Sequence, residues 1–118
     1  MRFRLNANSF DKESNIMSLS IEEKKRLRGI GHQLKPVVYV SDRGLSEGVV
    51  QEMDRALEDH ELVKVKFSIP DREAKREVMG DLAQVCEAEL IHVIGNMGLF
   101  FRKAQKPNPK LSNLHRHL

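Results

Sequence analysis

The apolar residues of this chain recur in two patterns, one typical of helices and one typical of strands. After Ser20, Ser46 and Asp71 the apolar positions recur every three or four residues, as they do on one face of a helix. Serine and aspartate are favoured helix caps, and an acidic residue follows each of them within three positions. The pattern predicts three helices, at about 20–34, from Ser46 to about His60, and at about 71–87.

Four shorter segments have the composition of strands, at residues 37–40, 62–69, 89–94 and 99–103. The first is continuously apolar and is expected to be buried. The second alternates, with Lys64 and Lys66 on the polar face. Two β-α-β units predict parallel crossovers, and a final hairpin adds an antiparallel strand. We therefore predict an α/β fold (α+β, two-layer) of order α-β-α-β-α-β-β, with helices packed on a four-stranded mixed sheet.

The two ends of the chain differ from the middle in composition. Residues 1–17 are polar without a period, which predicts a disordered leader, or an upstream extension if Met17 is the natural start. Residues 105–118 contain no acid and are predicted to form a flexible basic tail. One domain, 18–104, lies between them. Neither a membrane span nor a signal peptide is indicated, so we expect a cytoplasmic protein. We also expect it to be a monomer.

Charge is distributed unevenly along the chain, although the net charge is only +3. Basic residues outnumber acidic ones in residues 1–35, acidic residues dominate residues 36–101, and residues 102–118 carry bases alone. If the two ends meet on one side of the fold, the protein has a positive face for phosphate groups. The alternative is that basic ends only keep the chain soluble.

A row of basic residues is predicted along one flank of the first helix. Lys24, Arg28 and, just past the helix end, Lys35 are spaced so that they fall on one side of the apolar stripe. Such a row is a candidate track for phosphate groups.

The turn Ser41–Gly44, which precedes the second helix, is another candidate for phosphate binding. A glycine-bearing turn that leads into a helix exposes backbone N–H groups, and the helix dipole also attracts an anion. Arg43 adds a charged donor at the same place. The alternative is that Gly44 only supplies the positive φ that closes the turn.

Catalytic and metal-binding patterns are weak. Ser41, Asp42 and His60 have the residue types of a hydrolytic triad, but nothing in their spacing selects them. Asp42 is expected to accept backbone hydrogen bonds in its turn, and His60 to complete the apolar stripe of the second helix. The single cysteine, Cys86, is expected to be buried, and the histidines lack the spacing of a metal site. We predict no enzyme activity, no metal and no cofactor.

A resemblance to a known family rests on several separated motifs between residues 18 and 103. They are LRGIGHQLKPVVYVSDRGLSEGVVQEMDRALEDHELVKVKF, then DRE, then IGNMGLFFRK. The chain resembles the YhbY-like members of the CRM family, small RNA-binding domains named for chloroplast RNA splicing and ribosome maturation. The resemblance implies a fold similar to the C-terminal domain of translation initiation factor three and related to KH domains. It also implies binding to precursors of the large ribosomal subunit, as for a stand-alone bacterial member.

The resemblance places the family's GxxG-like loop on Ser41–Gly44. Here Ser41 replaces the first glycine, and Asp42 is negative where the family often has lysine. Gly95-Asn96-Met97-Gly98 fits GxxG literally and is either a second contact or only a hairpin turn.

The basic face and the glycine-bearing loop favour RNA binding, and the resemblance implies that the RNA is ribosomal and that the protein assists large-subunit assembly. With one tyrosine and no tryptophan, recognition of shape and phosphate should dominate over stacking. An alternative is that the acidic face of the second helix docks on a basic ribosomal protein. The predicted RNA-binding residues are Lys24, Lys25, Arg28, Lys35, Ser41, Asp42, Arg43, Gly44, Gly95, Asn96, Met97, Gly98, Arg102 and Lys103.

Overall fold

The computed structural model describes residues 19–116, which form four helices and four strands. In chain order they are α1 (Ile21–Gly31), β1 (Val38–Ser41), α2 (Glu47–His60), β2 (Leu62–Ser68), α3 (Arg72–Val85), β3 (Glu89–Ile94), β4 (Met97–Phe101) and α4 (Asn113–Arg116). The predicted order α-β-α-β-α-β-β is confirmed, and the short α4 is an addition to it. The leader prediction for residues 1–17 lies outside the described residues.

Side-chain caps start the three long helices where the sequence predicted them. Ser20 and Glu23 form a capping box, each side chain bonding the other residue's backbone N–H at 3.0 Å. Ser46 caps α2, and Asp71 caps α3. α1 ends at Gly31, earlier than predicted, and the chain leaves the helix through tight turns there.

The sheet has the strand order β1-β2-β4-β3. β1 and β2 are parallel, and β4 is antiparallel to both of its neighbours. The first three strands therefore finish at the end of the sheet where β4 begins. We call it the loop end, and it carries Ser41, Ser68, Ile94 and Met97. The opposite end, called the strap end, carries Leu62, Glu89 and Phe101.

The two faces of the sheet are covered to different extents. α2 and α3 pack on one face and form the larger core, which includes Met53, Phe67, Leu82 and Phe100. α1 packs on the other face and forms a smaller core, which includes Leu27, Ile30, Leu62 and Leu99. Because α1 is a single helix of 11 residues, it covers only part of its face.

The first strand differs from its prediction. It was expected to be buried, but β1 is an edge strand in which only alternate residues are buried. Val38 and Val40 face the larger core, whereas Tyr39 points away from it and is 61% exposed. A continuous apolar run does not distinguish an edge strand from a central one, because strand order depends on distant pairing.

The hairpin turn is also shorter than predicted. β4 begins at Met97, so only Gly95 and Asn96 lie between the strands. Gly98 is a buried strand residue with no room for a side chain. A Cβ atom there would lie 2.9 Å from Cε1 of Phe100 and 3.2 Å from Cε1 of Phe67. A glycine is needed at position 98 for close packing, whereas Gly95 supplies the positive φ of 57° that the turn needs.

Residues 104–114, called the C-terminal strap, differ from the expectation of a flexible tail beginning at residue 105. The buried carboxylate of Glu61 accepts hydrogen bonds from Ala104 N at 2.8 Å and Ser112 Oγ at 2.7 Å. Asn113 Nδ2 donates to Leu62 O at 2.7 Å. These bonds fasten the strap to the strap end of the sheet.

A neighbouring carboxylate, Glu58 on α2, holds the beginning of the strap. It accepts hydrogen bonds from the backbone N–H groups of Gln105 and Lys106, at 3.1 and 2.9 Å. The N–H group of Lys106, followed by that of Gln105, lowers the pKa of Glu58 by stabilising its charged form. The composition of the tail predicts none of this, because the partners lie in a distant helix.

Candidate functional site

Part of the sheet face beside α1 is left uncovered by the other residues that the structure describes. Side chains alternate along each strand, so Lys64 and Lys66 share this face with Leu62, which packs under α1. Tyr39, Lys66, Met97 and Ile94 pair in register across all four strands. With strands about 4.8 Å apart, this row spans about 14 Å.

A second row lies one step nearer the strap end, with Lys64 paired to Leu99 and Leu99 to His92. We call the uncovered surface the open face, consisting of Tyr39, Lys64, Lys66, His92, Ile94 and Met97. Tyr39 is 61% and Ile94 53% exposed. The open face therefore offers two lysines beside exposed aromatic and aliphatic groups.

A cavity of about 270 Å³ lies where the end of α1 meets the open face. Arg28, His32, Lys64 and His92 supply its polar groups, and Ile94, Met97 and Leu99 its apolar groups. In the described part of the chain, no carboxylate lines it. The combination of cationic and apolar groups suits an anionic ligand that also has an apolar surface.

Of the predicted basic row, only Arg28 lies at this cavity. Lys24 lies at the strap end instead, where its Nζ is 3.0 Å from Glu89 Oε2. Lys25 and Lys35 are exposed, Lys35 beyond the end of α1. Within the described residues, the structure shows no ion pair for Arg28, Lys64 or Lys66. The predicted row is thus divided between a paired lysine and an available arginine.

The turn Ser41–Gly44 lies at the loop end, and two of the backbone N–H groups of the predicted cradle are bonded within the turn itself. Ser41 Oγ accepts from Arg43 N at 3.3 Å, and Ser41 O accepts from Gly44 N at 2.9 Å. The serine, and not Asp42 as expected, therefore holds the turn. Gly44 has a φ of 84°, which agrees with its conformational role. The side chain of Arg43 is exposed and is the cationic group that this turn offers.

The Gly95–Gly98 segment reaches the same end of the sheet but does not form a single loop. Asn96 lies in the hairpin turn, and its carbonyl accepts a hydrogen bond from Phe67 N in the neighbouring strand β2 at 2.8 Å. Its side-chain Oδ1 accepts from Lys75 Nζ, also at 2.8 Å. Met97 belongs to the open face, and Gly98, which packs against Phe67 and Phe100 on the other side of the sheet, also lines the cavity. The segment therefore contributes one side chain to the open face and a turn at its edge.

Arg102 and Lys103, also predicted to bind RNA, lie at the strap end, beyond the last residue of β4. Arg102 Nη1 donates to Asp54 Oδ1 at 2.8 Å and to Cys86 O at 3.0 Å, and its Nη2 donates to Asp54 O at 3.0 Å. The guanidinium thus joins β4 to α2 and to the end of α3. Arg102 is a structural residue in this arrangement, and Lys103 is exposed beside it.

Cys86, under Arg102, is buried as predicted. Burial, reinforced by the nearby charge of Asp54, raises the pKa of its thiol to about 11. A thiol of this kind is poorly reactive at neutral pH, which agrees with the expected role as a small apolar group.

A second cationic surface, missed by the sequence analysis, lies on the face that α3 covers. We call it the α3 groove; it has a volume of about 420 Å³ and is lined by Arg72, Lys75, Arg76, Met79, Val93 and Gly95. The signal for it was the spacing of Arg72, Lys75 and Arg76, which brings them to one side of a helix. The signal for the open face was the alternation of Lys64 and Lys66 in β2.

The residues of the imagined triad are not brought together. Ser41 precedes α2 and His60 ends it, so the 14 residues of the helix separate them by about 20 Å. His60 Nδ1 lies 2.9 Å from Leu111 O in the strap.

Among residues 19–116, no group of three His, Cys, Asp or Glu side chains is placed to hold a metal ion. No helix in that range is long and apolar enough to cross a membrane.

The acidic face of α2 was the predicted alternative docking surface. Two of its carboxylates already have partners within the chain, because Asp54 binds Arg102 and Glu58 binds the strap. This leaves Glu52 and Asp59 for an external basic partner, which weakens the alternative.

The fold and this site define a small α/β domain with an open, cationic sheet surface. The model of the CRS1/YhbY (CRM) domain matches residues 19–102, so the chain belongs to this family, as the sequence motifs predicted. A Pseudomonas aeruginosa protein named "Probable RNA-binding protein" is 46% identical over 100 residues, which cover 85% of this chain and 96% of that protein. An "RNA-binding protein" of Haemophilus influenzae is 35% identical over 96 residues, covering 81% of this chain and 97% of its own length.

A solved structure resembles the chain as well. It is the solution structure of a hypothetical Staphylococcus aureus protein that is described as a candidate for RNA binding. The TM-score is 0.67 at 28% identity, and the match covers 75% of this chain and 92% of the other. The predicted fold class and family are thereby confirmed.

Proposed function

We propose that this protein binds RNA through the open face. The observation that carries the proposal is the position of Arg28, Lys64 and Lys66, which surround exposed apolar groups where none of the described helices covers the sheet. Lysine and arginine neutralise phosphates, and an exposed aromatic ring such as that of Tyr39 stacks on a base. The names of the relatives support the same function for this chain.

Tyr39, the one tyrosine of the chain, lies on the open face beside a lysine. Tyr39 pairs with Lys66 in the sheet, so a base on the tyrosine ring has an ammonium group one strand away. Since a nucleotide joins a flat base to a phosphate, this pair matches the two parts of one nucleotide. Phosphate contacts supply most of the affinity in the proposal, and Tyr39 contributes one stacked base.

The RNA continues from the open face over the loop end. Arg43 lies there, and the α3 groove begins just behind the hairpin turn. We include Arg43 as a further phosphate contact and treat the α3 groove as a second candidate surface. Lys24 and Arg102 are left out of the proposed site because both have partners within the fold.

The proposed target is ribosomal RNA in precursors of the large subunit, and the proposed role is to assist assembly as a monomer without catalysis. The family resemblance supports this target. The chemistry of the open face supports RNA in general, because phosphate contacts carry no sequence information.

Three variants, each removing three positive charges, test the proposal. The first changes Arg28, Lys64 and Lys66 to Gln; the second changes Arg72, Lys75 and Arg76; the third changes Lys103, Lys106 and Lys110 at the strap end. Binding to large-subunit ribosomal RNA fragments is measured by fluorescence anisotropy, with an unrelated RNA of equal length for comparison. At about 1 kcal/mol for each lost contact, the first variant should bind about 100-fold more weakly.

The third variant is the matched control, since its charge change is the same and its residues are exposed. It should bind nearly as well as the unchanged protein. Equal losses in the first and third variants would show that net charge alone drives binding, and a loss confined to the second would move the site to the α3 groove. Equal affinity for the ribosomal and unrelated RNAs would contradict the ribosomal target while leaving RNA binding intact.

A further inference from the structure

We propose that the cavity between α1 and the open face receives a single unpaired nucleobase, so that the protein selects RNA with a bulged or looped-out nucleotide over an uninterrupted duplex. This inference rests on the proposed RNA binding and adds the kind of RNA structure that the site recognises.

The size of the cavity limits its occupant. Its volume of about 270 Å³ lies just below the range of about 300–1,000 Å³ typical of small-molecule pockets. It therefore suits one base and excludes a stacked pair or a helix. A base inside an RNA duplex is stacked and paired, so only an unstacked base can enter.

The lining provides a surface for each part of a nucleotide. Ile94, Met97 and Leu99 form an apolar side against which the flat face of a base packs, and the polarisable sulfur of Met97 suits an aromatic ring. His32 and His92 add hydrogen-bonding groups for the edge of the base.

Charge favours a nucleotide over an apolar peptide as the occupant. Arg28 on α1 and Lys64 on β2 approach the cavity from two different elements, so phosphates on both sides of an inserted base would meet a cation. In residues 19–116 no carboxylate lines the cavity to repel them. A peptide would place neutral backbone groups against these charges and would gain less binding free energy from them.

Close packing of α1 on the sheet fixes the shape of the cavity. A Cβ atom on Gly31 would lie 2.5 Å from Cδ2 of Leu99, so the glycine allows the end of the helix to contact β4 directly. Both Gly31 and Leu99 line the cavity. The site is therefore already formed without RNA, which reduces the entropy lost on binding.

The test compares two RNA hairpins that differ only in a one-nucleotide bulge. The bulged position carries 2-aminopurine, whose fluorescence reports the environment of that base. The unchanged protein should bind the bulged hairpin about tenfold more tightly, within the range observed for one base stacked on a protein side chain. Its binding should also change the fluorescence of the probe.

Two tryptophan variants supply the obstruction and its control. Ile94→Trp fills the cavity mouth and should abolish the preference for the bulge, while leaving the salt dependence of binding intact because no charge is removed. Ile21→Trp makes the same substitution at the first residue of α1, where the side chain is 82% exposed and lines neither the cavity nor the α3 groove. Its affinity ratio for the two hairpins should equal that of the unchanged protein.

The outcomes separate this inference from the proposed function. Equal binding of both hairpins by the unchanged protein, or an undiminished preference in Ile94→Trp, would overturn the cavity as a base site and leave RNA binding standing. Absence of binding to either hairpin would overturn the proposed function and this inference with it.

Discussion

The strap end and the open face use positive charge in opposite ways. At the strap end, Lys24 is paired with Glu89, and Arg102 is held by Asp54 and a backbone carbonyl. On the open face, Lys64 and Lys66 have no ion-pair partner among the described residues. The position of a basic residue in the fold, and not the number of such residues in a segment, therefore decides whether it is available to a ligand.

The paired cations at the strap end join separate elements of the fold. Arg102 links β4 to α2 and α3, and Lys24 links α1 to β3. One oxygen of Glu89, Oε1, is buried and has no hydrogen-bond partner among residues 19–116, so within that range Lys24 is the main compensation for the carboxylate. Removing Lys24 or Arg102 should therefore affect stability, whereas removing an open-face cation should affect binding.

The largest expected effect comes from reversing charge on the open face. Changing Lys64 and Lys66 together to Glu alters the local charge by four units, which should weaken RNA binding about 1,000-fold at about 1 kcal/mol per unit. The matched change of Lys106 and Lys110 to Glu at the strap end should have little effect. Filter binding at fixed salt measures both. Similar losses of RNA affinity in the two variants would contradict the proposed difference between the open face and the strap end.

Arg102→Gln should produce the next largest effect, on stability. The change removes hydrogen bonds between a charged group and partners in α2 and α3, worth about 1.5–3 kcal/mol for a charged hydrogen bond. Urea unfolding should report a loss of about 2 kcal/mol, with RNA affinity unchanged while the protein is folded. A folded variant that no longer binds RNA would place Arg102 in the binding site, as the sequence first predicted.

Lys24→Gln should destabilise the protein by about 1 kcal/mol, because it leaves the mostly buried Glu89 carboxylate without its cation. Glu89→Gln in addition should restore part of the loss, and a double-mutant cycle measures the coupling. Thermal unfolding of the four proteins supplies the values. Additive effects would show that the pair contributes no coupling, and a fall in RNA affinity at unchanged stability would restore Lys24 to the site.

The smallest effect is expected at the turn of the loop end. Asp42→Lys replaces an exposed negative charge beside Arg43 with a positive one, a change of two charge units. At about 0.5 kcal/mol per unit for charges on an exposed turn, it should tighten RNA binding about fivefold. Ser41 is left unchanged because its hydroxyl and carbonyl hold the turn. Competition binding against the unchanged protein detects such a difference. No gain in affinity would place this turn away from the RNA.

Local chemistry made much of the fold predictable. The cap residues Ser20, Ser46 and Asp71 each start a helix, since a cap acts on backbone N–H groups only two or three positions away. The alternation in β2 assigned its lysines to one face. The strap was not predictable, because Glu61 and Ser112 meet only after folding and lie 51 positions apart.

The candidate site was predictable only in part, for the same reason. Arg28 could be identified from helical spacing, but the pairing that commits Arg102 to Asp54 spans 48 positions. The exposure of Tyr39 depends on β1 being an edge strand. The phosphate cradle expected at Ser41–Gly44 depended on unpaired backbone N–H groups, and two of these are bonded within the turn.

The most direct test of the account is a chemical-shift titration of the full ¹⁵N-labelled protein with an RNA hairpin. This experiment reports on the open face and the strap end at the same time. We expect the largest shifts at the backbone amides of Tyr39, Lys66, Ile94 and Met97, with small shifts at Glu61 and through residues 104–114. Largest shifts at Glu61 and the C-terminal strap, with the open face unaffected, would contradict the central claim that RNA binds where the cations are unpaired.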